Sequence, residues 1–457
     1  MAPLPLLLVL FLLRSWKLGD LPSNVTGDEV TLLTDIVRIL NFPERVSPLS
    51  LMGDGSHSGI NVYFMALLVS VFPEEHAVLG MRLASSLLSI VVLAAFYVYL
   101  RTKFSVGPSL SAALLLGTNY VFLNLSRSTW LADGKGLGLT CGILAFLLVE
   151  RGLSKRKVLL VTLGGAVAGL GLYSYPGTML FPVASLAYFL YLLVRRRLAP
   201  RTALVHGGVY LAAALLVFLP NLVTISQDYD RYSLRSKSVY IGSFAGPYYG
   251  ESATAGILWH QLGYTVRGFL LLDPTVGGVD VENARVGPEG EGLVDQVTRV
   301  FFFGGILTAL LLHRRDLFQP MVAFLLVLAT TQLLTVFPPN YMRGVFGVVF
   351  VFVIVAVLLD KLWSVEWWHP WSRLGLALLV AAISLWNVQH YFEWSSGLKL
   401  SQAREPAIRY EQVALWIAVQ KERMAAGEIE VAITSEEWQQ LIRETPQDGG
   451  PLERSTP

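Results

Sequence analysis

The sequence predicts an all-α polytopic membrane protein, on three observations. Of 457 residues, 54% are hydrophobic and only 15% charged, where soluble domains carry about one quarter charged residues, and the mean hydropathy is +0.55. The apolar residues fall in long blocks separated by short polar stretches, the pattern of a chain whose solvent is partly hydrocarbon. Lysines and arginines gather in every second connection between those blocks. Together these exclude an ordinary soluble enzyme. With 35 basic against 33 acidic side chains, no overall positive field exists to hold nucleic acid.

Blocks long enough to span, or nearly so, run over 3–16, 82–100, 109–125, 134–150, 157–174, 178–194, 204–225, 300–313, 318–337, 342–359 and 373–391. On the usual criterion of roughly 20 apolar residues they amount to about eleven transmembrane helices, several of them short. The first looks like the apolar core of a signal peptide, but no basic segment precedes it and no small-residue cleavage site follows, so it counts as a helix. The run 60–72 is apolar over only about thirteen residues and suits an interfacial or re-entrant helix better than a span. Gly134, Gly138 and Gly142, and the pair Gly165 and Gly169, stand one helical turn apart, which lets helices approach closely.

Basic residues near helix ends resist translocation, so the connections that hold them face the cytoplasm. Those connections carry Arg101 and Lys103; Arg151, Lys155, Arg156 and Lys157; Arg195, Arg196, Arg197 and Arg201; and Arg314 and Arg315. The intervening segments, 17–81, 126–133, 173–177, 226–299, 338–341 and the tail from 392, then lie outside. The predicted organisation is a transmembrane module over 1–391 with long outer loops at 17–81 and 226–299, then a short, partly helical outer tail over 392–457, amphipathic from Arg409 to Ala425. Nearly all the chemically varied sequence is outside, and function is expected there, on the extracytoplasmic face of the plasma membrane.

Several chemistries find no support. The single cysteine, Cys141, lies inside an apolar block, so neither a disulfide framework nor a Cys-based metal site is available. The histidines show no metal-ligand spacing and no H-E-x-x-H pattern, which leaves a divalent metal, or any other cofactor, unsupported. The absence of a Walker-type glycine loop argues against an ATP-driven pump.

In the first outer loop, LGDLPSNVTGDEVTLLTDIVRIL places Asp28 and Glu29 where a helix should begin. Thr26 or Asp28 could cap it, and acidic residues in a first turn complement the helix dipole whatever else they do. Leu32, Leu33, Ile36, Val37 and Leu40 follow at helical spacing, so this helix should lie on the membrane and hold the acidic pair at the interface. A carboxylate at the boundary of water and lipid is suited to act as a base toward a polar acceptor while the other substrate stays membrane-anchored. Asp133, in SRSTWLADGKG, sits at a helix mouth beside Arg127 and Lys135, where an ion pair with either is the alternative role. Arg127, Arg235, Lys237, Arg267 and Arg343 are outer cations of the type that stabilises charge on a leaving phosphate. Arg343 opens an apolar helix, where a charge needs a partner or must snorkel to the interface.

In their order along the chain these segments resemble the GT-C superfamily of glycosyltransferases, of the protein-mannosyltransferase-like, family 39 type, relatives of the aminoarabinose transferases that modify lipid A. LGDLPSNVTGDE resembles the family's acidic pair in the first outer loop, and GMRLASSLLSIVVL, with Arg82, resembles the segment whose arginine opens the next span. LNLSRSTWLAD resembles its serine-arginine stretch, GLGLYSYPGTMLFP its glycine and tyrosine turn, and LLLDPTVGGVDVENARVGPEGEGLVD the loop ahead of the later helices. The resemblance implies a GT-C bundle with interfacial helices in the first outer loop. It implies an integral membrane enzyme that moves a sugar from a polyprenyl-phosphate carrier to a lipid, glycan or protein acceptor on the outer side. By the same resemblance Asp28 is the base, Glu29 orients or assists it, Asp133 lines the cavity, His57, Tyr173 and Tyr175 contribute to the substrate cavity, and Arg127, Arg235, Lys237 and Arg343 face the donor phosphate. A single in-line displacement would invert the anomeric carbon. The chain departs from the family pattern at Thr178 and Met179, where a basic residue is frequent, and in its short first helix and short tail.

The alternative is a non-catalytic carrier or flippase of lipid-linked saccharides. Carriers usually keep their polar groups near the bilayer midplane in broken helices, often with internal repeats. Here the ionisable groups concentrate in outer loops and no repeat is evident.

Overall fold

In a computed structural model, every one of the long apolar blocks is a helix or a helix pair. The structure describes residues 3–22, 25–41, 43, 46–52, 57–243, 255–273, 286–288, 291–336, 338–364, 370–397, 417–418, 421–422 and 426. The chain begins with α1 (Pro3–Ser15), α2 (Gly27–Asn41), α3 (Gly59–Val69) and α4 (Ala77–Leu100). Next come α5 (Val106–Thr118), α6 (Tyr120–Arg127), α7 (Lys135–Ser154), α8 (Val158–Gly171), α9 (Leu180–Val194) and α10 (Pro200–Gln227). The second half holds α11 (Tyr229–Val239), α12 (Ala255–Thr265), α13 (Gln296–Leu311), α14 (Phe318–Leu328), α15 (Val345–Trp363) and α16 (Pro370–Gly397). The sheet among the described residues is a two-residue hairpin, β1 (Leu51–Met52) against β2 (His57–Ser58).

Among the described residues seven helices are long and apolar enough to cross a membrane, or eight if the bent pair α5–α6 is one span. The protein is an integral membrane protein, and of the about eleven helices expected to span only these reach full length. Helices α1, α8 and α13 have 13, 14 and 16 residues, a rise of about 20–24 Å against a hydrocarbon core of about 30 Å. Helix α3, expected to be too short to span, has 11 residues and packs against α2 and α4. The 61° bend between α5 and α6 has a local cause. Asn119 leaves the helical region at ψ 127°, its side chain accepts from Phe122 N at 3.0 Å to start α6, and its Nδ2 donates to Leu293 O at 2.9 Å.

The glycines set the packing as their spacing predicts. A Cβ on Gly138 would stand 2.1 Å from the Thr178 side chain, and one on Gly142 2.3 Å from the Phe181 ring. On Gly165 and Gly169 it would stand 2.1 and 2.4 Å from the carbonyl oxygens of Tyr210 and Ala214, so α8 and α10 meet backbone to backbone. Helix α15 is apolar all round and enclosed by protein, whereas α10 turns leucines such as Leu204 and Leu216 outward.

Polar connections collect at two opposite ends. At one, Lys103 Nζ donates to both carboxylate oxygens of Glu150 at 2.9 Å and to Asp316 O at 2.8 Å, Arg314 pairs with Asp316 at 2.8 Å, and Asp360 accepts from Ser105 N at 3.1 Å. These are the connections read as cytoplasmic. At the other end lie the α1–α2 connection, the turn from 128 to 134, and residues 173–177. The tail reaches that second end, where Ile417 is buried against the α2–α3 cluster and Lys421 pairs with Glu74. The rest of the amphipathic segment expected from Arg409 to Ala425 lies outside the described residues.

Candidate active site

Helix α2 begins with a reciprocal cap. Glu29 N donates to Thr26 Oγ1 at 3.2 Å and Thr26 N donates to Glu29 Oε2 at 3.0 Å, the capping-box pattern of a Thr followed three residues later by Glu. Thr26, rather than Asp28, therefore takes the cap. The Glu29 carboxylate is fully buried and also receives Arg82, with Nε at 3.0 Å and Nη2 at 3.1 Å, while Arg82 Nη1 donates to Pro22 O at 2.8 Å. The pair ties α2, its preceding loop and α4 into one unit. Glu29 is thereby an anchor for the residue beside it.

Asp28 is exposed where Glu29 is 0% exposed. Its recorded partner among the described residues is the indole of Trp130, whose Nε1 donates to Oδ2 at 3.2 Å. Trp130 is buried in the short 3₁₀ turn Thr129–Leu131, and that turn is pinned to α4 by Leu131 N donating to Ser85 Oγ at 3.2 Å. The same turn delivers Asp133, whose N donates to Thr129 O at 3.0 Å. Asp133 pairs with Lys135, both nearly buried, so of its two possible partners Lys135 is the actual one. Gly134, at φ +116°, makes the left-handed step that lets α7 start immediately after the aspartate. Lys135 Nζ sits 4.5 Å from the centroid of the Tyr175 ring, and that ring stacks on Phe346 at 6.2 Å.

The turn that presents Trp130 to Asp28 thus also carries Asp133, from which contacts lead through Lys135 and Tyr175 to the start of α15. Just ahead of α15, Arg343 Nη1 donates to Val336 O at 2.7 Å. Val336 N in turn donates to Val239 O at 2.9 Å, and Ile241 N to Leu334 O at 3.0 Å, which fastens the end of α11 to the same segment. Lys237 on α11 is exposed and bonded to Asp230 at 3.4 Å. Arg235 lies in α11, but its side chain is outside what the structure describes, as is that of His57 in β2. Burial holds the Tyr341 phenol above its ordinary range, so it is a neutral neighbour of the Arg343 turn. Arg267 is paired with Asp273 at 2.9 Å.

Two expected site residues serve elsewhere. Arg127 was expected at the donor phosphate; instead its fully buried guanidinium donates to the carbonyls of Leu13, Arg14, Trp16, Lys17 and Leu21 at 2.7–3.5 Å and lies 4.9 Å from the Phe392 ring centroid. A guanidinium so engaged organises the α1–α2 connection. Tyr173 was expected to contribute to the substrate cavity, but its hydroxyl donates to Val217 O at 2.8 Å and its ring packs edge-on against Phe218, joining the α8–α9 turn to α10. Trp130 as the partner of Asp28 is not legible in the sequence, because nothing local points an indole at residue 28. Among the described residues no group of three or more His, Cys, Asp or Glu is arranged to hold a metal ion.

This architecture recurs in solved structures. The chain superposes on the archaeal oligosaccharyltransferase AglB from Archaeoglobus fulgidus, solved with an inhibitory peptide and a dolichol-phosphate, with TM-score 0.53 and 14% identity over 90% of this chain and 56% of AglB. It superposes on ArnT from Cupriavidus metallidurans, bound to undecaprenyl phosphate, with TM-score 0.51 and 13% identity over 93% of this chain and 72% of ArnT. Residues 56–223 match the family described as dolichyl-phosphate-mannose-protein mannosyltransferase. The chain has the GT-C fold that these membrane enzymes share. No curated protein matches it by sequence. The matched GT-C core therefore spans little more than half the length of the archaeal enzyme. The family match takes in α3, Arg82, Trp130, Asp133 and Tyr175, and it starts after Asp28.

Proposed function

We propose that the protein is a membrane glycosyltransferase that takes a sugar from a polyprenyl-phosphate carrier and passes it to an acceptor hydroxyl or amine on the extracytoplasmic face of the plasma membrane. One observation carries the reading: of the three carboxylates the sequence singles out here, Glu29 and Asp133 are buried in ion pairs, whereas Asp28 is exposed and receives a neutral indole N–H. Such a carboxylate is open to an acceptor and is oriented by one hydrogen bond, as a general base needs. The proposed catalytic module is 1–391, with 392–457 as a short extracytoplasmic segment.

In the proposed step Asp28 takes the proton of the acceptor as the acceptor atom bonds to the anomeric carbon. The bond from that carbon to the phosphate oxygen breaks on the opposite side, and its electron pair leaves with the polyprenyl phosphate. Configuration inverts. Arg343 and the cations of α11, Lys237 and Arg235, attract the departing phosphate, which is already a good leaving group and needs no acid. Asp133, Lys135 and Tyr175 shape the floor between base and donor. The dolichol-phosphate and undecaprenyl phosphate held by structures of this fold support a polyprenyl donor.

The test incubates purified protein with a panel of polyprenyl-phosphate sugars and measures released polyprenyl phosphate. Wild-type protein should turn over at least one donor, and Asp28→Asn should lower the rate by about 10²–10⁴-fold. Equal release by both removes Asp28 as the base. Movement of a labelled donor across vesicles without any phosphate release marks a carrier instead.

A further inference from the structure

We infer that the cleft between α9, α13 and α14 at the basic end is a binding site for an anionic phospholipid of the adjoining leaflet. The cleft holds about 530 Å³, within the roughly 300–1,000 Å³ of ligand sites. Its inner wall is apolar, built by Ile306, Met321 and the Tyr191–Phe318 pair, whose rings stack with centroids 3.9 Å apart. Its mouth is cationic. Arg195 ends α9, and Arg314 and Arg315 lie in the connection from α13 to α14.

Arg314 is engaged with Asp316 at 2.8 Å, whereas Arg195 and Arg315 are exposed, and no acidic residue stands among the residues described as lining the cleft. The outer lip is open to hydrocarbon, with Leu310 68% exposed. An acyl chain suits a trough that opens sideways into lipid, and a phosphate suits uncompensated arginines at its mouth. A soluble anion would leave the trough without purpose, and a neutral lipid would leave the arginines without a partner. Basic pockets between transmembrane helices on the cytoplasmic side take anionic head groups for this reason. The site lies at the opposite end from Asp28, so the inference stands or falls separately from the transferase reading.

The experiment is native mass spectrometry of the full chain in detergent, with dioleoylphosphatidylglycerol or dioleoylphosphatidylcholine added and retained lipid counted. Phosphatidylglycerol should be retained at least about tenfold more strongly than phosphatidylcholine. Arg195→Gln with Arg315→Gln should weaken it by about 25-fold, roughly fivefold for each cation near the surface. Met321→Trp, which fills the trough with both arginines in place, should weaken it too, while Lys155→Gln with Lys157→Gln at the same end should leave it unchanged. Melting temperature without added lipid checks that each variant is folded, and should Met321→Trp fail to fold, the arginine pair decides. Unchanged retention in the arginine variant, equal retention of the two lipids, or displacement by millimolar inorganic phosphate overturns the inference.

Discussion

At the basic end of the bundle Glu150, Asp316 and Asp360 each meet a donor from the protein, and these bonds join the connections after α4 and α13 to α7 and α15. At the opposite end the carboxylates divide: Glu29 and Asp133 are buried with Arg82 and Lys135, while Asp28 faces outward with an indole N–H. Hydrogen bonds to Asp316 hold Arg314 above its ordinary range and, against the opposing effect of burial, Arg314 holds the Asp316 carboxyl below its own, so the tie is lost only in acid. The contrast separates two uses of charge. A paired carboxylate costs desolvation and returns architecture; an exposed one beside a neutral partner contributes little to stability and stays chemically available.

The largest test of that contrast is Asp28→Asn. It should remove about 10²–10⁴ of the transfer rate and leave the melting temperature unchanged, because the amide oxygen still accepts from Trp130. A large loss of stability would place Asp28 with the tying carboxylates and erase the difference between the ends. Arg82→Met should do the reverse. It strands the fully buried Glu29, and breaking a buried pair in this way costs about 3–5 kcal/mol, read as a lowered unfolding midpoint in detergent. Glu29→Gln should be milder, since the amide oxygen can still take the Thr26 N–H and part of the Arg82 fork. Should Arg82→Met leave the midpoint in place, the ion pair is not what holds α2.

How far the sequence reveals this division depends on the range of the interactions involved. The helices were legible because an apolar block senses only whether its surroundings are lipid or protein, and the T-G-D-E cap was legible because its partners are three residues apart. Close packing through Gly138, Gly142, Gly165 and Gly169 was legible for the same local reason. Which of Asp28 and Glu29 turns inward was not. Successive residues on a helix differ by about 100° in direction, and the choice is made by Arg82, 53 positions away on α4. Arg127 was misassigned likewise: the sequence shows a cation at a helix end, and only the path of the α1–α2 connection shows five carbonyls waiting for it. The number of spans is less legible, because α1, α8 and α13 have the composition of spans but only 13–16 helical residues each.

Two smaller effects grade the contrast further. Lys103→Met removes the cation from Glu150, but that carboxylate retains 17% exposure and lies near the bundle's end, so water can replace part of what is lost. The expected cost is about 1–3 kcal/mol, clearly below that of Arg82→Met, and transfer should be unaffected once the protein is folded. The smallest effect belongs to Asp230→Asn on α11. Asp230 is 98% exposed and its bond to Lys237 is 3.4 Å long, and such surface pairs are screened and entropically costly to hold. The unfolding midpoint should not move. If Lys237 serves the donor phosphate, freeing it from Asp230 should lower KM for a polyprenyl-phosphate sugar at low salt, and the gain should vanish as salt is raised. A salt-independent change, or a rise in KM, would assign Lys237 to the fold and leave Arg343 as the cation to pursue.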